Sequence, residues 1–405
     1  MPVTCSGAAC GKAARYLNPK NSQSIFIAMV KKLLAFVFVF IAMLELASYF
    51  YIKYVNTNIQ MPSYSLVNVN SKFWTFNDEH FGVWHQPSST YLHKKPCFTQ
   101  RYASNAYGMR DKERTTDAQQ QRVVVLGDSF IEGWGNPSED RLTNLLEAST
   151  GKEVLNFGTS GGFGTIQERL QYKHMVKQFK HDVVMLGILP RNDFEDNSLE
   201  FYHTQDTDDY RPFLVGNYPD YKLFYPVKNL PKPTRIEALG KSLQLTLLEW
   251  SCLYRVAIYL HDFKIDNMKL VPRWAPENIS DPSGGSMYYS VPEEEWNIMR
   301  YALEQLVAEA GSRKVILFTI PAYQDFEHYD GKEPPLARNL RELASRTGAT
   351  YVDLMPAMVA RGVKYPNLFF SCDKHWNAFG NAVAADILEP YVRAALKSAP
   401  AAKGN

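Results

Sequence analysis

Four short segments carry residue types that could make and break an ester. The apolar run Val123–Leu126 leads straight into Gly127-Asp128-Ser129-Phe130. A serine set just past a buried strand and before a helix presents its hydroxyl at the functional edge of a sheet. The first N–H groups of that helix favour developing negative charge. A second segment, Asn156 to Thr165, contains Gly158, Gly161, Gly162 and Gly164, and such a loop lets backbone approach a substrate oxygen closely. A third, Pro190-Arg191-Asn192-Asp193, places a side-chain amide after another apolar run. The fourth, Ser371 to Gly380, sets His375 two residues after Asp373, a base with a carboxylate to orient it. Taken singly, each has an ordinary explanation: a helix cap, a strand-to-helix turn, a structural histidine. Their succession is more specific, because the first three each follow a strand-like run.

Five apolar runs bounded by Gly, Pro, Asp or Asn read as buried strands: Arg122–Leu126, Glu153–Phe157, Asp182–Leu189, Lys314–Ile320 and Thr350–Leu354. Amphipathic stretches lie between them, at Arg141–Glu147, Gln167–Phe179, Glu293–Ala310 and Leu336–Arg346. The alternation predicts an α/β fold, a doubly wound, flavodoxin-like parallel sheet of five strands whose site lies at the strands' carboxyl ends. The segment from about 195 to 292 breaks this rhythm. It is rich in aromatic residues, Tyr202, Tyr210, Phe213, Tyr218, Tyr221, Phe224 and Tyr225, and then turns helical near Ser242–His261. An insertion beside a catalytic loop is expected to be a lid or substrate wall, with a docking surface as the alternative. Any single aromatic in it has the simpler role of core.

On these residues the chain resembles the SGNH/GDSL hydrolases over about 105–395. Ser104-Asn105-Ala106-Tyr107-Gly108-Met109-Arg110-Asp111 resembles the lead-in of membrane-anchored bacterial members. The resemblance implies that Ser129 is the nucleophile and His375 the general base, with Asp373 orienting it. It implies an oxyanion hole formed by the backbone N–H groups of Ser129 and Gly161 and by the Asn192 amide. Two positions depart from the family pattern. Pro190 stands where a glycine usually precedes the asparagine by two. Cys372 stands three before the histidine, where the acid usually is, while Asp373 stands two before it. Asp373-x-His375-Trp376-Asn377 is similar to the version in polysaccharide O-acetyltransferases of the alginate type. The scheme needs no metal and no organic cofactor.

The chain has 405 residues, with 44 basic against 42 acidic, a formal charge of +2. That balance argues against a nucleic-acid partner bound through a basic surface. Apolar residues make up 45% and charged residues 21%, which excludes disorder over most of the chain. No repeat of fixed period is present. Lys12, Arg15, Lys20, Lys31 and Lys32 precede the first acid, Glu45, and an apolar run covers Leu33–Ile52. Twenty residues at about 1.5 Å each match a hydrocarbon core of about 30 Å. The positive charges predict an N-terminus inside and residues beyond Lys53 outside, periplasmic or at the cell surface. Glu45 within the run costs roughly 2.5–3.5 kcal/mol at a membrane centre, less towards the interface. A signal peptide lacks a good cleavage site here, and a core helix would be shorter and less uniformly apolar. Met29-Val30-Lys31-Lys32-Leu33 reads like a natural start, so residues 1–28 are expected to be a dispensable or mis-called extension, with organelle targeting as the alternative.

The expected organisation is an inner tail over 1–32, a transmembrane anchor over 33–52 and a turn-rich lead-in over 53–121. The catalytic domain follows over 122–395, with a tail over 396–405. Cys5, Cys10, Cys97, Cys252 and Cys372 show no CxxC or zinc spacing. A disulfide from Cys372 to Cys97 or Cys252 would fix the loop bearing Asp373, and a free buried thiol is the simpler expectation. The leading functional expectation is a membrane-anchored serine esterase acting on an acyl or acetyl ester, carried by a glycan or a lipid. The alternatives are an O-acyltransferase or O-acetyltransferase acting on a surface polysaccharide, and a non-catalytic binding protein retaining the fold.

Overall fold

The computed structural model of the chain describes residues 19–70, 72–204, 210–226, 234–266 and 286–399. Most of the expected extension, residues 1–18, lies outside the described residues, as do 400–405 and parts of the insertion. Five parallel strands form the central sheet: β1 Arg122–Gly127, β2 Glu153–Gly158, β3 Val183–Ile188, β4 Lys314–Thr319 and β5 Thr350–Asp353. They pair in the order β2-β1-β3-β4-β5. This is the doubly wound arrangement read from the sequence, and the order of strand addition reverses between β1 and β3, where such sheets bind ligands.

Alternation along each strand divides the core between two faces. Val124, Leu126, Leu155, Phe157, Leu186 and Leu317 pack under the helices Thr165–His174, Glu293–Ala310 and Pro335–Thr347. Val123, Val125, Val154, Met185, Ile316 and Phe318 pack under Leu142–Thr150 and Ala378–Ser398. Coverage on both faces explains why the strands read as continuous apolar runs rather than alternating ones.

Helix α1 covers Pro19–Phe50 and continues through a wider turn at Tyr51–Val55. Among the described residues it is the one helix long and apolar enough to cross a membrane, over Phe26–Val55, which contains the expected 33–52. A short helix, α2, covers Ser129–Glu132 after β1. The stretch expected to be helical near Ser242–His261 is two helices, α3 Arg235–Trp250 and α4 Cys252–Asp266, broken at Ser251.

The lead-in departs from its expected turn-rich character. It forms two antiparallel hairpins, Trp74–Asp78 with Gly82–His85 and Thr90–Lys95 with Phe98–Ala103. Their mixed polar composition hid them, because pairing and packing rather than alternation define these strands. Cys372, for which a free buried thiol is the simpler expectation, is instead joined to Cys97 by a disulfide across 275 residues, and among the described residues Cys252 is the free buried thiol. One hairpin is thereby tied to the loop carrying Asp373 and His375. Leu186 lies fully buried in the central strand β3. Leu186→Ala is expected to lower stability by about 2–5 kcal/mol through lost burial and a residual cavity, read from urea unfolding of the detergent-solubilised chain.

Candidate active site

The turn after β1 is dictated by its glycine. Gly127 has φ +153°, and a Cβ there would stand 2.2 Å from Ile131 Cγ1. Only a residue without a side chain lets the strand bend this tightly into α2. The Asp128 side chain caps α2 by accepting from the Phe130 N–H at 2.9 Å. Ser129 is thus the first residue of the helix, at the carboxyl edge of the sheet. The carbonyls at the other end of α2 meet Arg110, a fully buried guanidinium that donates to Glu132 O at 2.8 Å, Gly133 O at 2.7 Å and Asn136 O at 2.6 Å. The segment Ser104–Asp111 therefore has a physical task, closing the far end of the helix that begins with Ser129.

The loop from Ser371 to Asn377 brings the histidine across. Ser129 Oγ lies 2.8 Å from His375 Nε2. His375 Nδ1 stands 3.5 Å from Asp373 Oδ1, an ion-pair separation longer than a good hydrogen bond. Asp373 also accepts from the His375 backbone N–H at 3.3 Å and from Trp134 Nε1 at 2.7 Å. Burial pushes the Asp373 carboxyl up, but the His375 ring, Lys95 and the Trp134 N–H outweigh it and hold it at about 2. The imidazole is flanked by Phe130 and Trp134, with ring centroids 4.9 Å and 5.2 Å away. Trp134 in turn packs edge-on to His93 of the second hairpin at 4.2 Å and against Trp74 of the first at 5.9 Å. Burial lowers His93 to about 3, so it serves as a neutral ring in this stack. Trp376 is buried in the core and Asn377 caps the last helix through the Gly380 N–H at 3.0 Å.

Asn192 follows β3 on the same edge. Its amide nitrogen lies 3.4 Å from Asp128 Oδ2 and 3.3 Å from Asp196 Oδ2. These contacts join two of the sequence-identified segments and hold the amide beside the serine turn. Behind them sit four buried carboxyls, Asp128, Glu168, Asp193 and Asp196. Burial raises Asp128 to about 6, the Phe130 N–H, His375 and Asn192 limiting the rise. Burial raises Glu168 and Asp193 well above their usual range, with neighbouring carboxylates adding to it. Arg211 of the insertion neutralises part of this charge, at 3.0 Å from Asp196 Oδ1.

The glycine loop turns at Gly161, φ +111°, where a Cβ would press on Phe76 and Val83 at 3.2 Å. Its neighbour Ser160 donates to Glu132, whose other oxygen lies 3.3 Å from His85 Nε2. His85 Nδ1 is 2.8 Å from Gly108 O. Burial would raise Glu132, but His85, Arg110 and Ser160 hold it below its ordinary value. A buried strut thus runs from the lead-in through α2 to the loop bearing Gly161. Ser129 contacts His375 and His375 faces Asp373, Asn192 is joined to the serine turn through Asp128, and Gly161 is held to the same helix through Ser160. Sequence reasoning missed Trp134, Glu132 and His85; Cys97 is one of the two candidate partners it names for Cys372, and it is the one the structure pairs. Among the described residues no group of His, Cys, Asp and Glu is placed to hold a metal ion.

No protein-family model and no curated protein matches the chain. Solved structures do align with it. A lipase/acylhydrolase from Enterococcus faecalis is 16% identical, covering 70% of this chain and 100% of its own, with a TM-score of 0.34. A catalytic mutant of an acetylxylan esterase from Geobacillus stearothermophilus is 13% identical, covering 70% of this chain and 96% of its own, with a TM-score of 0.33. A carbohydrate esterase family 2 enzyme with its carbohydrate binding domain, from Corynascus thermopiles, is 15% identical, covering 78% and 83%, with a TM-score of 0.34. At these values the likeness carries no argument about chemistry, which rests on the geometry above.

The folded value of Asp373 lies below the ordinary value near 3.9. Its contribution to stability is therefore complete above that ordinary value and is lost as pH falls through about 2. Trp134→Phe keeps an aromatic ring beside His375 but removes the N–H donor. It is expected to raise the carboxyl's folded value and shift acid unfolding to higher pH, at a cost of about 1–3 kcal/mol at neutral pH. A pH titration followed by near-UV circular dichroism checks this.

Proposed function

We propose that the chain is a membrane-anchored serine esterase of the SGNH/GDSL type, hydrolysing an acyl or acetyl ester through an acyl-serine intermediate. The observation that carries this reading is the 2.8 Å contact between Ser129 Oγ and His375 Nε2 at the switch point of the sheet. A serine hydroxyl is a weak nucleophile at neutral pH, and an adjacent base is what activates it. Ser129 Oγ attacks the ester carbonyl carbon while its proton passes to His375 Nε2. The Asp373 carboxylate stabilises the imidazolium so formed. The negative charge on the carbonyl oxygen is met by the backbone N–H groups of Ser129 and Gly161 and by the Asn192 amide. The long bonds of Asn192 to Asp128 and Asp196 orient that amide and are weaker than the bond it makes to a developing oxyanion. Collapse breaks the ester C–O bond, and the leaving alkoxide takes the proton from His375. Water then attacks the acyl-serine with His375 again as base, releasing acid and free enzyme.

The catalytic domain is assigned to 122–395 and the anchor to the α1 segment containing 33–52, with the N-terminus inside. Two observations support an extracytoplasmic domain. Lys31 and Lys32 precede the apolar segment, and the Cys97–Cys372 disulfide suits an oxidising compartment. Acyl transfer to a surface polysaccharide uses the same acyl-serine and differs in what resolves it. The Trp376-Asn377 pair of the acetyltransferase-like motif has structural work here, in the core and at a helix cap, and so does not favour transfer. Retention of serine, base and acid side by side, with the amide on the same sheet edge, also weighs against a purely binding role.

Ser129→Ala and His375→Ala are expected to abolish hydrolysis of short-chain nitrophenyl esters. Asn192→Ala is expected to cost on the order of 10²–10³ in kcat with little change in KM. The same assay with added polysaccharide separates the readings. Hydrolysis unchanged by glycan supports an esterase, and an acyl-serine discharged only when glycan is present supports a transferase. Absence of any Ser129-dependent turnover or acyl-serine overturns both.

A further inference from the structure

Helix α3 carries an apolar stripe that, among the described residues, is left exposed until the last turn, where Glu249 meets Ser63 and the Trp250 ring meets Tyr64. Ile236 is 84% exposed, Leu239 73%, Leu243 59% and Trp250 43%. At 100° per residue these four lie on one stripe, with Glu237, Lys241 and Gln244 on the other side. Leu245, off the stripe, is exposed as well. A surface of this kind on a soluble domain marks an interaction site.

Its neighbours say what covers it. The break between α3 and α4 is fastened to α1 at Glu45, whose carboxylate accepts from Ser251 Oγ at 3.0 Å, from the Leu253 N–H at 2.9 Å and from the Cys252 N–H. Every described side chain of α1 from Phe26 to Leu44 is exposed, and protein first covers the helix at Glu45. Between Lys32 and Glu45 lie residues 33–44, about 18 Å of helix against a hydrocarbon core of about 30 Å. With Lys31 and Lys32 at the inner boundary, the core must run past Glu45 to about Ile52. The α3–α4 junction at Ser251 then sits about 10 Å inside the outer boundary. This also accounts for an acid within the apolar run: its charge is met by the first turn of α4 instead of by water.

We propose that the α3–α4 helix pair is seated in the outer leaflet beside α1, with the Ile236–Leu239–Leu243–Trp250 face against lipid. The insertion is then a second membrane contact. It removes the free swivel that a single span would allow and sets the height of the Ser129 site above the bilayer. The inference rests on the anchor reading, and the test separates the two.

The full-length chain, with Cys5 and Cys10 replaced by serine, is reconstituted in vesicles of phosphatidylcholine and phosphatidylglycerol. An environment-sensitive fluorophore is attached at Leu239→Cys or, separately, at Phe38→Cys; Cys97 and Cys372 are paired and Cys252 is buried. Lipids carrying a nitroxide on the acyl chain are expected to quench both probes at least twofold. Quenching at position 38 without quenching at 239 overturns the inference and leaves the anchor. A blue-shifted but unquenched probe at 239 means that protein, not lipid, covers α3, and overturns it too. No quenching at 38 removes the anchor reading and the inference with it.

Discussion

The contact between Ser129 and His375 joins residues 246 apart in the chain, and most of the structure around it serves to keep that distance. One partner is fixed by a glycine turn at the end of a buried strand, the other by a loop near the last helix. Neither position is stiff by itself. The serine turn is closed from behind by Arg110, which satisfies the far carbonyls of α2. The histidine loop is held by Trp134, by the Cys97–Cys372 disulfide and by the cap at Asn377. The two hairpins of the lead-in contribute to both, through His85 on one side and through Trp74, His93 and Cys97 on the other. Preorganisation of this kind suits the proposed hydrolysis, in which each group would meet a charge that exists only briefly.

The central sheet was legible because parallel strands buried on both faces must be apolar at nearly every position. Val123–Leu126 and Val183–Ile188 could hardly be anything else. The site was legible because strand ends place side chains predictably, so Ser129 and Asn192 fell on the same edge without any knowledge of distance. The supports were not legible. Thr90–Lys95 has no clean alternation, since its faces meet a disulfide, an aromatic stack and solvent instead of one core and one surface. Glu132 reads as an ordinary helical acid, and only the fold shows it buried between His85 and Ser160. Trp134 stands five residues after Ser129, close enough to suggest proximity but without any pattern that names Asp373 as its acceptor.

Glu45 illustrates the same limit in the apolar segment. From sequence it is a cost inside a membrane helix. In the fold it is a cap for α4, and its partners lie more than 200 residues away. The insertion likewise divides into parts with different surroundings. Arg211 reaches the buried carboxyls beside Asn192, whereas α3 and α4 fasten to the lead-in and α1, through Glu249 to Ser63 and through Ser251 to Glu45.

The central claim is that Ser129 is a nucleophile activated by His375. Treating the full-length chain with a fluorophosphonate and mapping the adduct by peptide mass spectrometry tests it directly. A single modified serine, Ser129, is expected, labelled rapidly in the wild type and at least a hundredfold more slowly in His375→Ala. Labelling elsewhere, or labelling of Ser129 at an equal rate without the histidine, would contradict it.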